Sequence, residues 1–432
     1  MATSPPAVLM VGTGEYTTGY VASTGAGSTS DKKIGVVGLT MFDLRRRGKV
    51  GDLSMVGVSG RKYPAIRNHL QKNISEVYNS MDVSFSSYPA DDKTDPDAYK
   101  TAIDSLPAGS AVTIFTPDNT HYPIALYAIQ HGHHVLITKP ATKLLSEHLN
   151  LLSEAKKAGV LVYIEHHKRY DPAYADAKFR SKQLGDFNYW YSYMSQPKSQ
   201  LKTFASWAGK DSDISYYLNS HHIDICEWMV RDAGWHPKTV RASASTGISE
   251  SLSCQAGTED TITVLVDWVH TSPDKQHLKA TGIYTASWTA PQNAGVHSQQ
   301  RFHYIASKGE INVDQAKRGY HVLGDNYPDS TAEADAGPKW YNPFYMRYAP
   351  DEEGNFAGQA GYGYVSFEKF INAVTQINAK QITVEDVDKR GLPTLGNTVL
   401  TTAILEAGRR SLDEGGRCVE IVAGADGAVE LK

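Results

Sequence analysis

The sequence is poor in cysteine, in long apolar runs and in any excess of one charge sign. Its 3 cysteines, Cys226, Cys254 and Cys418, stand far apart and are odd in number, which fits neither a disulfide framework nor a zinc cluster. The 43 basic residues nearly balance the 47 acidic ones, and the formal charge at pH 7 is -4. This balance gives no general electrostatic attraction to nucleic acid or to an anionic membrane, so neither is an expected partner.

No apolar stretch reaches the roughly 20 residues that a membrane-spanning helix needs. The first residues, MATSPPAVLMVGTG, contain neither a basic leader nor a small-residue cleavage site. We therefore expect a cytoplasmic protein without membrane association. The 432 residues, 41% of them hydrophobic, are enough for two large domains.

Residues 1–165 alternate short apolar runs with helical patterns. The predicted strands are 7–11, 53–58, 83–85, 111–115, 135–137 and 160–164. The predicted helices are one that starts near the cap-like pair Ser30 and Asp31, and others at 97–104, 123–131 and 146–158. Short apolar strands separated by helices are typical of a parallel sheet that helices cover on both faces. The sequence thus predicts an α/β protein whose N-terminal domain is doubly wound and binds a nucleotide.

Residues 166–432 contain longer, aromatic and alternating strand patterns, such as FNYWYSYM and DTITVLVDWV. They predict a second, α+β domain built on a large, open and mostly antiparallel sheet. A loop-like region at about 325–364 is rich in Gly, Pro, Asp and Tyr, and its length is typical of a lid or an arm. A helical tail is predicted at 367–412.

A glycine-rich loop follows the first predicted strand in VLMVGTGEYTTGY. Gly12 permits a tight turn and Gly14 lets the backbone approach a pyrophosphate, so Thr13, Glu15 and Tyr16 become candidate cofactor-binding residues. Gly19 comes later than the dinucleotide fingerprint requires, and an ordinary turn is the alternative. The position of the loop after the first strand of an alternating pattern favours a cofactor site.

The exit of the second predicted strand, VGVSGRK, contains Ser59, Gly60, Arg61 and Lys62 but no carboxylate. An acidic residue at this place binds the ribose hydroxyls of NAD, whereas basic and hydroxyl residues accommodate the 2'-phosphate of NADP. We therefore expect NADPH to be preferred and NADH to be possible. A solvated loop with two surface cations is the alternative.

The most informative segment is AVTIFTPDNTHYPIALYAIQHGHHVLITKP, in which a Thr-Pro-Asp turn and a Lys-Pro pair each follow a strand. Strand exits in a doubly wound sheet lie on the ligand side, so residues 116–121 and 138–140 should face the same crevice as the glycine loop. An ammonium there can stabilise the negative charge that develops on a carbonyl oxygen during hydride transfer. A lysine making an ordinary surface contact is the alternative reading for Lys139.

Over residues 116–140 the sequence resembles the glucose-fructose oxidoreductase, inositol dehydrogenase and MocA family, whose members carry TPDxxHxxxxxxAxxxGxHVLxEKP. The departure is Thr138, where the family usually has Glu. The resemblance implies a Rossmann domain followed by an α/β domain whose open sheet often forms the oligomer interface. It also implies that Lys139 reaches the nicotinamide and the reacting carbon. Further cofactor-binding candidates in this segment are Thr116, Pro117, Asn119 and His121.

A second family motif aligns with KDSDISYYLNSHHID. His221 and Asp224 match it, and the resemblance implies that His221 is the general acid for reduction. Tyr217 stands where the family has Asp, and Lys210 begins the run that replaces a Ser-Gly-Gly-Gly cluster. A packed or capping histidine is the alternative for His221, and His222 competes for its role.

A metal site is not expected at His221, His222 and Asp224, because adjacent helix positions face different directions. The segment IEHHKRYDPAY resembles the family's link between domains, and it offers Lys168 and Arg169 as candidates to bind a substrate carboxylate, with Arg169 also a cofactor candidate. A surface cluster is the alternative. Lys210 and Arg347 are further cation candidates.

The segment WYNPFYMRYAPDEEGNFAGQAGYGY further resembles the D-galacturonate reductases of pectin breakdown. That resemblance implies NADPH-dependent reduction of the C1 aldehyde of a sugar acid, D-galacturonate to L-galactonate, in which Lys139 polarises the carbonyl and His221 donates the proton directly or through Tyr217. The alternatives are a sugar or polyol dehydrogenase and a catalytically silent, dinucleotide-dependent regulator. A homodimer or higher homo-oligomer is expected.

Overall fold

The computed structural model describes residues 4–21, 26–27, 34–205, 207–291, 298–317, 320–322, 339–341, 344–424 and 428–432. The β-strands, in chain order, are β1 (Val8–Val11), β2 (Tyr20–Val21), β3 (Ala26–Gly27), β4 (Leu53–Val56), β5 (Ser86–Tyr88), β6 (Ala111–Ile114), β7 (His134–Ile137), β8 (Val162–Ile164), β9 (Phe187–Pro197), β10 (Trp235–Thr246), β11 (Glu259–His270), β12 (Lys279–Ala290), β13 (Gln299–Ala306), β14 (Gly309–Asp314), β15 (Tyr320–Val322), β16 (Lys339–Tyr341), β17 (Val419–Ala423) and β18 (Val429–Leu431).

The α-helices are α1 (Glu15–Thr18), α2 (Val36–Arg46), α3 (Tyr63–Leu70), α4 (Ala98–Asp104), α5 (His121–Gln130), α6 (Leu145–Ala158), α7 (Pro172–Ser181), α8 (Ser199–Phe204), α9 (Ser220–Val230), α10 (Ile248–Ser251), α11 (Tyr362–Asn378), α12 (Val384–Lys389) and α13 (Val399–Asp413). Two π-helical segments lie at Gln71–Ser75 and Ser215–Asn219. The 3₁₀ turns are Gly60–Lys62, Asp118–Thr120, His167–Tyr170, Arg231–Ala233 and Pro273–Lys275.

The chain divides into two compact units, each made of three segments. The first unit comprises Met1–Ala141, Glu147–His167 and Phe344–Asn397, and the second comprises Thr142–Ser146, Lys168–Pro343 and Thr398–Lys432. The predicted domains, 1–165 and 166–432, differ from this division chiefly because residues 344–397 return to the first unit.

Among the described residues of the first unit, six parallel strands pair in the order β5, β4, β1, β6, β7, β8. Strands β1, β6, β7 and β8 are buried at every position, which explains their uninterrupted apolar sequences. The doubly wound fold class is thereby confirmed. The strand predicted at 83–85 is instead β5, three residues later, because this polar edge strand has little apolar signal.

Aromatic packing explains why residues 344–397 belong to the first unit. Helix α11 lies against α2, the ring of Phe367 lies 5.7 Å from that of Phe115, and Phe370 lies 5.8 Å from Tyr163. Leu395 is part of the apolar core that contains the strands of the parallel sheet. A local sequence pattern predicts a helix but does not indicate which of two cores that helix completes.

The buried histidine of α6 gives this unit a dependence on pH. His148 is fully buried, and its Nε2 donates to the carbonyl oxygen of Leu395 at 2.8 Å. Burial lowers its pKa to about 4, whereas the unfolded chain has a histidine pKa of about 6.5. The unfolded state therefore binds more protons between these pH values, and the free energy of unfolding falls as the pH falls through that window.

We expect His148→Gln to remove up to about 3 kcal/mol of this pH dependence. Urea unfolding at a series of pH values from 7 to 4 measures it. His277→Gln, at an exposed position, is the control and should leave the pH dependence of stability as in the parent protein. An unchanged pH dependence in His148→Gln would contradict the assignment.

In the described part of the second unit, eight strands pair in the order β14, β13, β9, β12, β11, β10, β17, β18. Strands β9 and β12 run parallel and the other neighbours run antiparallel, so the prediction of a large, mostly antiparallel sheet is confirmed. Along β11, buried and half-buried residues alternate, as expected for a sheet with one covered face. Helices α9 and α13 pack on that face.

The predicted helical tail at 367–412 consists of α11, α12 and α13, and only α13 belongs to the second unit. Helix α12 starts with a reciprocal capping box between Thr383 and Asp386. No described helix combines the length and apolar character needed to cross a bilayer.

Candidate functional site

The glycine loop joins β1 to α1. Gly12 has a φ of 106°, and a Cβ there would collide with the carbonyl oxygen of Phe115, so only glycine fits. Gly14 is exposed, and a Cβ on it would meet no atom within 4 Å. The loop therefore borders open space at the carboxyl end of β1, where a doubly wound sheet binds the pyrophosphate of a dinucleotide. These residues fit such a cofactor.

The first helix of the unit is interrupted. Helix α1 ends after four residues at Gly19, whose φ is 74°, and the helical path resumes at α2. A Cβ on Gly35 or Gly38 would lie 2.6 or 2.7 Å from the carbonyl oxygen of Thr17, so these two glycines permit the close packing of α2 on α1. They take the packing role expected of a third fingerprint glycine. The predicted helix start at Ser30 and Asp31 lies outside the described residues.

The exit of β4 lies beside the glycine loop, because a Cβ on Gly57 would be 2.8 Å from Thr13 Cγ2. Ser59 is half-buried and pairs in an isolated bridge with Thr94, and Gly60 is buried. Arg61 is exposed at the first turn after the strand, as is the lysine that follows it. The exit of β4 therefore contacts the glycine loop at Gly57, and a hydroxyl group and two exposed cations follow that contact in the chain.

The exit of β6 is tied to the exit of β7 by His121. Its ring is fully buried, and its Nε2 and Nδ1 each lie 2.9 Å from a backbone carbonyl oxygen, those of Thr116 and Pro140. The side chain of His121 therefore joins two loops inside the protein, which differs from the cofactor contact predicted for it. Pro117 and Asn119, in the same turn, are exposed.

Lys139 comes two residues after β7, at the edge of the parallel sheet that also holds the glycine loop and the Thr116 turn. Its side chain is half-buried, and the Lys139–Pro140 peptide bond is cis. Because the carbonyl oxygen of Pro140 contacts the buried ring of His121, the backbone beside the lysine is held in place. This position is suited to a cation that meets a ligand at the carboxyl ends of the strands.

A pair of tyrosines lies against the glycine loop. The hydroxyl oxygens of Tyr16 and Tyr345 are 2.6 Å apart, and the ring of Tyr16 stacks on Phe115 at 5.3 Å. A Cβ on Gly363 would lie 2.6 Å from the ring of Tyr345, so the glycine makes room for it. Burial, with the nearby Glu165 carboxylate, raises the pKa of Tyr16, so the phenol stays protonated and can donate. Sequence reasoning named Tyr16 but missed its partner.

An acid–base pair follows β8 in the same unit. The Nδ1 of His167 lies 2.8 Å from a carboxylate oxygen of the buried Glu165. The imidazole stacks on the ring of Tyr362 at 5.6 Å. The segment 344–361, part of the predicted lid or arm, thus leads into aromatic contacts at the carboxyl edge of the parallel sheet. Residues 325–338 and 342–343 of that prediction lie outside the described residues.

In the second unit, Tyr217 and His221 lie four positions apart on two consecutive helical segments. Tyr217 is half-buried in the π-helical segment, and His221, 7% exposed, is in the first turn of α9. Asp213 Oδ1 accepts the backbone N–H groups of Ser215 and Tyr216, which fixes the start of the segment. Asp213 is one of the residues that replace the family's glycine cluster, and this cap explains it.

His222, the competing candidate, is an internal residue. Its Nε2 lies 2.9 Å from the hydroxyl oxygen of Tyr174, and the side chain is 1% exposed. Burial lowers the pKa of His222 well below the ordinary histidine value, with the Lys168 ammonium contributing. These contacts favour His221 over His222 as a group that meets a ligand.

Arg169 and Asp224 form a buried ion pair. Arg169 Nε and Nη2 donate to the two carboxylate oxygens of Asp224 at 2.9 and 2.6 Å. Although burial lowers the pKa of Arg169, the Asp224 carboxylate outweighs that effect and the pKa lies above its ordinary value. The guanidinium is thus committed to holding α9, which differs from the predicted substrate or cofactor contact.

Lys168 is also internal. The residue is 3% exposed, and its ammonium donates to the side-chain oxygens of Gln300 and Gln315, the latter at 2.7 Å. Gln315 in turn donates to Asp171, the N-cap residue of α7. Lys168 therefore ties β13 to the loop after β14, and a surface cluster at this place is excluded.

Two cation candidates reach solvent, Lys210 in the second unit and Arg347 in the first. Among the described residues, no group of three or more His, Cys, Asp or Glu side chains is placed to hold a metal ion.

Residues 7–166 match the model of the GFO_IDH_MocA oxidoreductase family, which has an NAD-binding Rossmann fold. Two similar curated proteins are from Bacillus subtilis strain 168. The NAD-dependent scyllo-inositol 2-dehydrogenase is 26% identical over 176 residues, 41% of this chain and 48% of that protein. The NADP-dependent scyllo-inositol 2-dehydrogenase IolW is 30% identical over 123 residues, 27% of this chain and 34% of that protein. The matched segments thus span about a third to a half of these relatives.

Solved structures share the fold along almost the whole chain. GenD2 from gentamicin A biosynthesis, solved in complex with NAD, superposes with a TM-score of 0.64 over 98% of both chains, at 20% sequence identity. A likeness at this identity establishes the fold, and the second unit is included in it.

Proposed function

We propose that this protein is an NAD(P)H-dependent reductase of the C1 aldehyde of a sugar acid. The premise is that residues 7–166 match the GFO_IDH_MocA oxidoreductase family. The specific reaction we propose is D-galacturonate to L-galactonate. The observation that carries the proposal is the position of Lys139, half-buried at the same sheet edge as the glycine loop. An ammonium at that edge can stabilise the negative charge that develops on a carbonyl oxygen during reduction, a role that cofactor binding alone does not require.

The bound dinucleotide supplies the hydride. In this proposal Lys139 stabilises the negative charge that develops on the carbonyl oxygen, which lowers the barrier most where water is excluded. His221 supplies the proton that completes the alcohol, directly or through the hydroxyl of Tyr217. A catalytically silent regulator needs cofactor binding but no proton donor, and the presence of both residues argues against that alternative.

The carboxylate of a sugar acid requires a cation. Arg169 and Lys168 are engaged inside the protein, so the exposed Lys210 and Arg347 are the remaining candidates, and we propose that one of them meets it. Turnover of a panel of uronic acids and matched neutral aldoses with NADPH tests this choice. Preference for the uronates supports it, whereas turnover of the neutral sugars alone would remove the carboxylate from the proposal.

A polyol dehydrogenase is the second candidate, because both Bacillus subtilis relatives are named as scyllo-inositol 2-dehydrogenases. It predicts reduction of NAD or NADP by scyllo-inositol without any need for an aldehyde. The same assay run in the oxidative direction separates the two candidates.

We further propose that NADPH is preferred because Arg61 meets its 2'-phosphate. Arg61→Ala should raise the Kd of NADPH by about 10-fold and leave that of NADH within about twofold, since a charged hydrogen bond is lost only with NADPH. Calorimetric titration of both cofactors measures the two constants. Lys72→Ala, at an exposed helical position, is the control. Equal effects on NADPH and NADH would count against a phosphate contact.

Finally, we propose a homodimer or higher homo-oligomer formed through the uncovered face of the large sheet. That face carries half-buried apolar and aromatic residues, among them Tyr191, Leu265 and Ile283. Such a surface is typical of a protein interface. Light scattering after size-exclusion chromatography determines the mass, and a monomer at micromolar concentration would contradict the proposal.

A further inference from the structure

Four aromatic side chains of the second unit form a contiguous cluster around Tyr217. The ring of Trp207 lies 5.5 Å from that of Tyr217, and Tyr217 stacks on Trp288 at 5.7 Å with 27° between the planes. Phe204 lies 4.8 Å from Trp207 and 5.3 Å from Tyr217. Phe204 and Trp288 are buried, whereas Trp207 and Tyr217 are half-buried. The cluster therefore presents two rings to solvent on a support of two others.

The support is fixed by hydrogen bonds. The indole N–H of Trp288 donates to the carbonyl oxygen of Glu259 at 2.9 Å. Asp213, which caps the segment that carries Tyr217, also pairs with Arg409 at 3.3 Å. The two outward rings are thus held before any ligand arrives, which lowers the entropic cost of binding.

A buried amide stands beside the rings. Gln196, near the end of β9, is 4% exposed, and its Nε2 donates to the hydroxyl of Tyr217 at 3.4 Å. In the part of the chain that the structure describes, no group donates to Gln196 Oε1. A buried acceptor in that state lowers the stability of the unliganded protein, and a ligand donor would recover that loss.

We propose that Trp207, Tyr217 and Gln196 form a subsite for a sugar ring, with the two aromatic faces against the C–H face of the ring and Gln196 Oε1 accepting from a ring hydroxyl. A closed sugar ring has one apolar face and a rim of hydroxyl donors, and the subsite offers an aromatic platform and a buried acceptor. An acyclic polyol chain presents no such flat face. The inference rests on the proposed function, which it deepens: the protein binds the pyranose form of its sugar acid next to His221. The ring then opens, the anomeric hydroxyl losing a proton and the ring oxygen gaining one, and this exposes the C1 aldehyde that the hydride reduces.

A ring-locked ligand tests the subsite without turnover. The methyl glycoside of galacturonic acid cannot open to an aldehyde, so its binding to the full-length protein, measured by titration calorimetry, reports on ring recognition alone. We expect it to bind the parent protein, and L-galactonate, the acyclic acid, to bind at least about 10-fold more weakly. Trp207→Ala should weaken glycoside binding about 10-fold. Gln196→Leu, which keeps the size of the side chain, should weaken it about fivefold.

Phe179→Ala, at an exposed apolar position on α7, is the control and should bind the glycoside as the parent does. Should Trp207→Ala not fold, Gln196→Leu decides. Parent-like glycoside binding in Gln196→Leu and in any folded Trp207→Ala, or no glycoside binding to the parent, would overturn the subsite. If the subsite is overturned in this way while the parent protein still reduces uronates, only the subsite is refuted. If the parent protein shows no NADPH-dependent turnover of uronates, the proposed function is refuted.

Discussion

Lys139→Met is expected to lower kcat/KM for the aldehyde substrate at least about 100-fold, because it removes the charge that stabilises the developing alkoxide. Methionine keeps the length and the apolar part of the side chain, so the change is chiefly electrostatic. Lys143, the next lysine in the chain, donates to the backbone carbonyl oxygen of Asp211 at 2.7 Å, so its ammonium is already engaged. Steady-state kinetics with NADPH and a uronate measure the effect.

Lys157→Met is the matched control, since Lys157 lies on the surface of the same unit and contacts Glu154 at 2.6 Å. It should keep kcat/KM within about twofold of the parent value. Thermal unfolding of both variants shows whether either has lost its fold. A folded Lys139→Met variant with parent-like turnover would remove Lys139 from the chemistry.

Arg169→Met is expected to lower the free energy of unfolding by about 3–5 kcal/mol, since it leaves the buried Asp224 carboxylate without its guanidinium. Both side chains are almost wholly buried, 2% and 1% exposed, so water cannot replace the lost charge. Denaturant unfolding measures the loss. The same variant should also lower turnover, because Asp224 lies on α9 three residues after His221.

The double variant Arg169→Met with Asp224→Leu removes both charges and should recover a large part of that stability. Arg180→Met, whose exposed guanidinium pairs with Asp176 at 2.7 Å, is the control and should cost no more than about 1 kcal/mol. If Arg169→Met were as stable as Arg180→Met, the buried pair would not be holding α9.

The parallel sheet could be predicted from the sequence because its strands are buried on both faces. Strands such as β1 and β6 therefore read as uninterrupted apolar runs, and their exits place Gly12, Thr116 and Lys139 at one edge by topology alone. The edge strand β5 has no such run, and its position was predicted three residues too early.

Features that depend on contacts between distant parts of the chain could not be predicted in this way. The return of residues 344–397 to the first unit depends on ring contacts such as that between Phe367 and Phe115. The ion pair between Arg169 and Asp224 could not be predicted for a similar reason, since a basic residue looks the same in sequence whether it meets a substrate or a buried carboxylate.

Sequence motifs identified the residues that follow strands in the first unit and the segment from Tyr217 to Asp224 in the second, but not Gln196 or Trp207 of the proposed subsite. Gln196 lies near the end of an aromatic strand and Trp207 stands in a loop, so neither belongs to a motif. The one available signal was the density of aromatic residues around Tyr217, which also has an ordinary explanation in core packing.

The most direct test of the central claim is the product balance of one reaction, NADPH with D-galacturonate and the parent protein. We predict that NADPH absorbance falls and that one molecule of L-galactonate appears for each NADPH consumed. If a folded protein that binds NADPH neither consumed NADPH nor formed galactonate at saturating uronate, that result would contradict the account.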